Sequence, residues 1–212
     1  MKIFHIFKRL VFRIIKGRRK HYFANNPVNL EICKPSKVRG GERISVGEHV
    51  YIGPNSQISA VCDTIPLCKH PDGKHVNQSF EPRIRIGDRV SATSGLHLSA
   101  FKEIVVGDDV MIAANVYICD GSHAYEDAHV PYKYQGISNL SPIMIKRGSW
   151  LGQNVCVMPG VTIGEFSIIG ANSVVTKSVP DRCIAGGVPA RVIKKWDEAS
   201  KSWLSVSDKK EQ

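Results

Sequence analysis

The sequence predicts an all-β solenoid of hexapeptide units, preceded by an amphipathic helix and closed by a short capping helix. Two observations carry the solenoid. Between 145 and 176 an apolar residue stands at every sixth position: Ile145, Leu151, Val157, Ile163, Ile169 and Val175. A glycine directly follows three of these, as Gly152, Gly164 and Gly170. A period of six is neither helical nor a strand alternation. It marks a coil in which each unit supplies one short strand and one corner. The apolar residue points inward, and the small neighbour lets adjacent coils stack closely.

Residues 1–23 open the chain. Ile3, Ile6, Phe7, Leu10, Ile14 and Ile15 fall at helical spacing and predict an amphipathic helix. Between them lie Lys2, Lys8, Arg9, Arg13, Lys16, Arg18, Arg19 and Lys20, a concentrated part of the net charge of +10. Two readings stand side by side: a helix lying in an anionic membrane surface through residues 1–20, or one packed on the domain or on a partner subunit. Basic and apolar residues interleave and no small-residue cleavage site follows, so no cleaved leader is expected. No zinc-finger, RRM or helix-turn-helix spacing occurs, so nucleic acid is not the expected partner.

The coil is expected over 30–190. Val46, Ile52 and Ile58 keep the sixfold step, with Gly47 and Gly53 beside the first two. The register breaks over 60–83, where Pro66, Pro71, Asp72, Gly73 and Pro82 read as an excursion. Ile86, Ala92 and Leu98 resume it. After a two-residue slip come Val106, Ile112 and Ile118, with Gly107 and Ala113 in the small position. A second break, 124–142, is too long for a plain connector and reads as a functional loop. Pro180, Gly186, Gly187 and Pro189 end the coil. The remainder, 191–212, is read as a helix over 191–205 that covers the open end, then a polar tail.

The six cysteines (33, 62, 68, 119, 156 and 183) show no paired spacing. They fit a reduced, cytoplasmic setting as small core or surface thiols. Cys62, Cys68 and His70 match no zinc spacing, and no metal is expected.

The motifs Ser149-Trp150-Leu151-Gly152, Pro159-Gly160-Val161-Thr162-Ile163-Gly164, Val174-Val175-Thr176-Lys177 and Gly187-Val188-Pro189-Ala190-Arg191-Val192-Ile193 resemble the left-handed β-helix acyltransferases. More narrowly, the stretch from about 40 to 195 is similar to the maltose/galactoside O-acetyltransferase branch and its relatives in lipopolysaccharide and capsule synthesis. The resemblance implies a left-handed parallel β-helix, acetyl-CoA as acyl donor, a sugar or glycan acceptor, and a homotrimer with its sites between subunits.

It also implies roles for residues. Asp120-Gly121-Ser122-His123 is similar to the catalytic Asp-x-x-His of that family, which makes His123 the general base. A sugar hydroxyl must lose its proton as it attacks a thioester, and an imidazole, with an ordinary pKa near 6.5, is mostly neutral at pH 7 and can take it. Asp120 is expected either to orient that imidazole or to accept backbone hydrogen bonds at a corner. The resemblance places Gly152, Gln153 and Ala171 along the pantetheine arm, and Lys177, Arg191 and Lys194 at the phosphates. Thr93 stands where those enzymes carry an asparagine. Cys119 and Cys156 lack an activating partner, so direct transfer without a covalent enzyme intermediate is expected. Tyr125, Tyr132, Tyr134 and Gln135 of the loop would shape the acceptor pocket. Trp150 reads as a packing residue, and His129 as an acceptor-side contact or, in preference, a solvated residue. The alternatives are N-acetylation of an amino sugar, a zinc hydratase, whose expected spacing His97, His123 and His129 do not match, and a non-catalytic scaffold.

Overall fold

The structure is a computed structural model that describes residues 23–64 and 76–206. The helix expected over 1–23 lies, but for Phe23, outside the described residues. No α-helix occurs among those described; two single 3-10 turns, Gly41–Arg43 and Tyr132–Tyr134, interrupt an otherwise all-β chain.

Three sheets make the body, with nine, six and five strands. The chain visits them in a fixed cycle. Glu31–Ile32 belongs to the nine-stranded face, Lys37–Arg39 to the six-stranded face and Ile44–Val46 to the five-stranded face; Tyr51–Ile52 then returns to the first. Successive visits to a face pair in parallel, as in Gln57 with His97, His97 with Tyr117, and Tyr117 with Cys156. The two-residue strands, such as Trp150–Leu151 and Thr162–Ile163, bury one residue each. The sixfold row is buried throughout: Ile145, Leu151, Val157, Ile163, Ile169 and Val175 are all 0% exposed. Burying such aliphatic side chains contributes roughly 1.5–3 kcal/mol apiece.

The corners are repeated as faithfully as the core. Between the nine- and six-stranded faces, Asn55, Gly95, Asn115, Asn154 and Asn172 all take φ of 58–63°. Asparagine tolerates this left-handed conformation better than other side chains. Its amide also bridges coils: Asn115 Nδ2 donates to Asn154 Oδ1 at 3.3 Å, and Asn154 Nδ2 to Asn172 Oδ1 at 2.8 Å.

Two hairpins leave the body, both after strands of the six-stranded face. Asp63–Thr64 pairs with Gln78–Ser79, and Ser122–His123 with Ile137–Ser138, each antiparallel.

The helix read over 191–205 is not there. Ala190–Asp197 runs antiparallel to Cys183–Gly187, and Ser202–Ser205 runs antiparallel to it in turn. The reason is local and visible. Val192 and Ile193 are β-branched, and Trp196 meets Trp203 across the pair, centroids 5.4 Å apart and edge-on. Asp197 Oδ2 accepts the Ser200 N–H at 2.7 Å and fixes the turn. The end of the coil is thus covered by strands that pair its edge.

Candidate active site

The predicted base lies at the junction where the chain leaves the six-stranded face. Asp120 is 0% exposed. Its carboxylate accepts three backbone N–H groups of the preceding coil: Phe101 at 2.7 Å, Lys102 at 2.9 Å and Glu103 at 2.6 Å. Its own carbonyl accepts the Ser141 N–H at 3.0 Å, where the loop returns. One residue therefore closes the loop and supplies the acceptors that this departing coil denies its neighbour. Burial pushes the Asp120 carboxyl upward, against the pull of those three donors. Of its two expected roles the structure displays the corner role; no hydrogen bond joins it to His123.

Gly121 follows, enclosed so that a Cβ would lie 2.9 Å from Leu140, 3.0 Å from Phe101 and 3.1 Å from Ile137. Then comes the strand Ser122–His123. Alternation buries Ala124 and turns His123 to solvent, where its imidazole makes no hydrogen bond among the described residues. The loop beyond is tied down. Ala124 N–H donates to Gly136 O at 3.0 Å. Gln135 Nε2 donates to Asp127 O and Val130 O, both at 2.7 Å. Asn139 Nδ2 reaches Ser122 Oγ and Tyr125 Oη, each at 3.2 Å. Gln135, expected to face an acceptor, thus spends its amide inside the loop. His129 is exposed, with its N–H on Asp127 Oδ1 at 2.8 Å.

Behind His123 the six-stranded face carries a polar row. His97 stacks on Tyr117 with centroids 4.9 Å apart, and its Nε2 lies 3.0 Å from Ser99 Oγ. Burial lowers the His97 pKa and raises that of Tyr117 to about 12. Burial also pushes up the thiol of Cys119, which donates to Gly121 O at 3.2 Å. Among the described residues no three His, Cys, Asp or Glu side chains gather as a metal site.

The residues expected to hold CoA fall into two groups. Gly152, Gln153 and Ala171 share the corner between the nine- and six-stranded faces. A Cβ on Gly152 would stand 2.6 Å from Ala171 N and 2.8 Å from Ile169 O, so coil stacking itself demands glycine there. Gln153 O accepts the Asn172 N–H at 2.8 Å, which leaves the Gln153 and Ala171 side chains exposed along the corner. The same column runs up to Thr93 and Ala113 and down to Gly170 and Gly186 through one ladder of N–H to O=C bonds. Gly186 pairs with Arg191, and Ile184 with Lys194, which sets both exposed cations at the foot of the column. Lys177 stands apart, beyond Val174–Val175 on the far side of the six-stranded face. His123 lies on that far side as well, at the next coil but one. Trp150 is not in the core: 43% exposed, it sits on the outer nine-stranded face between Met111 and Ile168.

Residues 142–177 match the family described as "Bacterial transferase hexapeptide (six repeats)". The chain is 37% identical over 173 residues to a putative acetyltransferase of Saccharomyces cerevisiae, covering 76% of this chain and 84% of that one. It is 33% identical to the putative lipopolysaccharide biosynthesis O-acetyl transferase WbbJ of Escherichia coli, over 57% of this chain and 64% of that one. With the galactoside O-acetyltransferase of Escherichia coli the identity is 36%, over 59% of this chain and 60% of that one. The chain thus spans less than two thirds of these two Escherichia coli relatives. Among solved structures, a variant of the N-acyltransferase AntD from Bacillus cereus, in complex with dTDP-4-amino-4,6-dideoxyglucose and coenzyme A, superposes with a TM-score of 0.62 at 20% identity, over 87% of this chain and 90% of that one. That likeness is one of fold.

Proposed function

Because the chain belongs to the hexapeptide-repeat acyltransferase family, we propose that it transfers an acetyl group from acetyl-CoA to a sugar hydroxyl of a surface polysaccharide or its precursor. The names of the Escherichia coli relatives support that acceptor class. The cyclic order of three parallel faces supports a three-faced parallel β-helix as its scaffold, and the family resemblance implies its left hand.

One observation carries the reading: an exposed imidazole with no hydrogen bond among the described residues, on a strand braced from beneath by a buried carboxylate. His123 takes the proton of the attacking hydroxyl as the acyl carbon exchanges its bond to sulfur for one to oxygen, and returns that proton to the departing thiolate. Asp120 positions it through the backbone. The thioester is what acetyl-CoA supplies. The exposed corner at Gln153 and Ala171, with Gly152 beneath, fits the pantetheine arm. Arg191 and Lys194 at its foot offer cations to phosphate, and Lys177 offers another from the opposite corner.

Within one chain, His123 and that corner are separated by the six-stranded face. A site between two copies joins them, which is the reason to read the protein as a homotrimer. An apolar outer row favours contact between copies: Tyr51, Met111 and Trp150 are 38, 47 and 43% exposed on one face. The test is thioester consumption by the purified protein against a panel of sugars and lipid-linked glycans. Turnover falls 10²–10⁴-fold in His123→Ala, on the order of a general base's usual contribution, while the assembly stays intact by sedimentation. Undiminished turnover overturns the base. Preference for amino sugars over their hydroxyl analogues overturns O-transfer.

The basic amphipathic pattern of residues 1–20 supports a place at the cytoplasmic face of an anionic membrane. Among the described residues no helix is long and apolar enough to cross one. Full-length protein is expected to pellet with anionic but not neutral vesicles, and a chain lacking residues 1–20 to stay in solution; equal pelleting of the two rejects the contact.

A further inference from the structure

The two hairpins that leave the coil are bonded to each other, and the bond falls on the strand beside the base. In an antiparallel pair, residues alternate between those whose N–H and C=O face the partner and those whose groups face away. Ile137, paired with His123, is of the second kind: both its backbone groups face outward. Gln78, from the other hairpin, satisfies both. Its Nε2 donates to Ile137 O at 3.0 Å, and its Oε1 accepts the Ile137 N–H at 2.6 Å. One side-chain amide thus plays the part of a third strand. Without it the outer edge of Ile137–Ser138 loses this partner and the hairpin is a lone two-stranded ribbon, a structure marginal by itself.

Neighbouring contacts fit the same docking. Val76 N–H reaches Tyr134 O at 3.3 Å. Phe80 meets Phe101 edge-on at 5.2 Å, and Phe101 is a residue whose N–H Asp120 holds. Gly136, with φ of +89°, leaves the space: a Cβ there would lie 2.5 Å from Gln78 Oε1.

We propose that Gln78 is a positioning residue, clamping Ile137 and through it the strand that carries His123. The inference rests on the base role proposed for His123. A base must stand within hydrogen-bond reach of the proton it takes, and a displacement near 1 Å can cost on the order of 10²-fold in rate.

Gln78→Met keeps the volume and removes both bonds. Gln78→Glu keeps the acceptor for the Ile137 N–H, loses the donor to Ile137 O and serves as the second variant. Each is compared with the full-length protein in two measurements. Hydrogen exchange followed by mass spectrometry is expected to quicken over 122–138 and to stay unchanged in the coil strands. The kcat is expected to fall about tenfold, with the KM for acetyl-CoA within about twofold and the same melting temperature. A merely structural residue would lower the melting temperature or raise both KM values instead. Unchanged exchange over 122–138, or unchanged kcat despite faster exchange, overturns the clamp. His123→Ala in the same assay separates the two ideas: if it retains turnover the base role fails, while hydrogen exchange still reports whether Gln78 holds the hairpin.

Discussion

At the scale of single residues, the polar row on the six-stranded face stores a pH response. His97 is partly buried between Tyr117 and Ser99, and burial holds its pKa below the ordinary 6.5 of a free imidazole. The folded chain therefore prefers the neutral ring. As pH falls through 6.5 the unfolded chain takes up its proton first, so stability is present above that pH and lost below it. Thermal melts between pH 7.5 and 5 are expected to show a falling melting temperature, and His97→Gln to flatten the slope. An equal slope in the variant would place the loss elsewhere. Tyr117 behaves oppositely. Its phenol, raised to about 12, stays protonated where a free tyrosine would ionise near 10, so its share of stability is lost only as pH climbs through that interval. His97 was visible in sequence only as a histidine near the site; its stacking partner lies twenty residues on, one coil away.

At the scale of elements, the last two strands do what the expected helix was to do, by another means. Cys183–Gly187 would otherwise end the nine-stranded face with a row of unpaired N–H and C=O groups. Ending the chain at Gly187 is expected to lower the melting temperature by about 5 °C or more and to raise light scattering as edges associate. A truncated chain that melts normally and stays dispersed would refute the capping role. The need for a cap is legible in the sequence and its form is not, because Trp196 finds Trp203 only across the Asp197 turn, and Val192 and Ile193 stand among charged residues that mask the strand. The sixfold row was legible because each unit of the coil buries an aliphatic residue at the same place. Asp120 was legible as one of two roles. Gln78 was not legible at all: it touches Ile137 across 59 residues of chain, from a segment read as an excursion to one read as a functional loop.

At the scale of the whole molecule, the proposed site is divided. The imidazole of His123 projects beyond one edge of the six-stranded face, whereas Gly152, Gln153 and Ala171 line the other. A site formed wholly within one chain would need the acyl donor to cross that face, over His97, Tyr117 and Cys156. A site shared by two copies needs no crossing, and it makes a sharp prediction. His123→Ala removes one half, and Ala171→Trp obstructs the other. Each homogeneous variant is then inactive. Unfolded together in equal amounts and refolded, they assemble at random. A shared site is intact only when the His123 comes from an Ala171→Trp chain and the corner from a His123→Ala chain. About a quarter of the sites meet that condition, so about a quarter of the wild-type rate returns. A site confined to one chain returns none, because every chain in the mixture carries one lesion or the other. The recovered rate therefore decides how the coil is used: as separate enzymes, or as one assembly whose chemistry sits between its members.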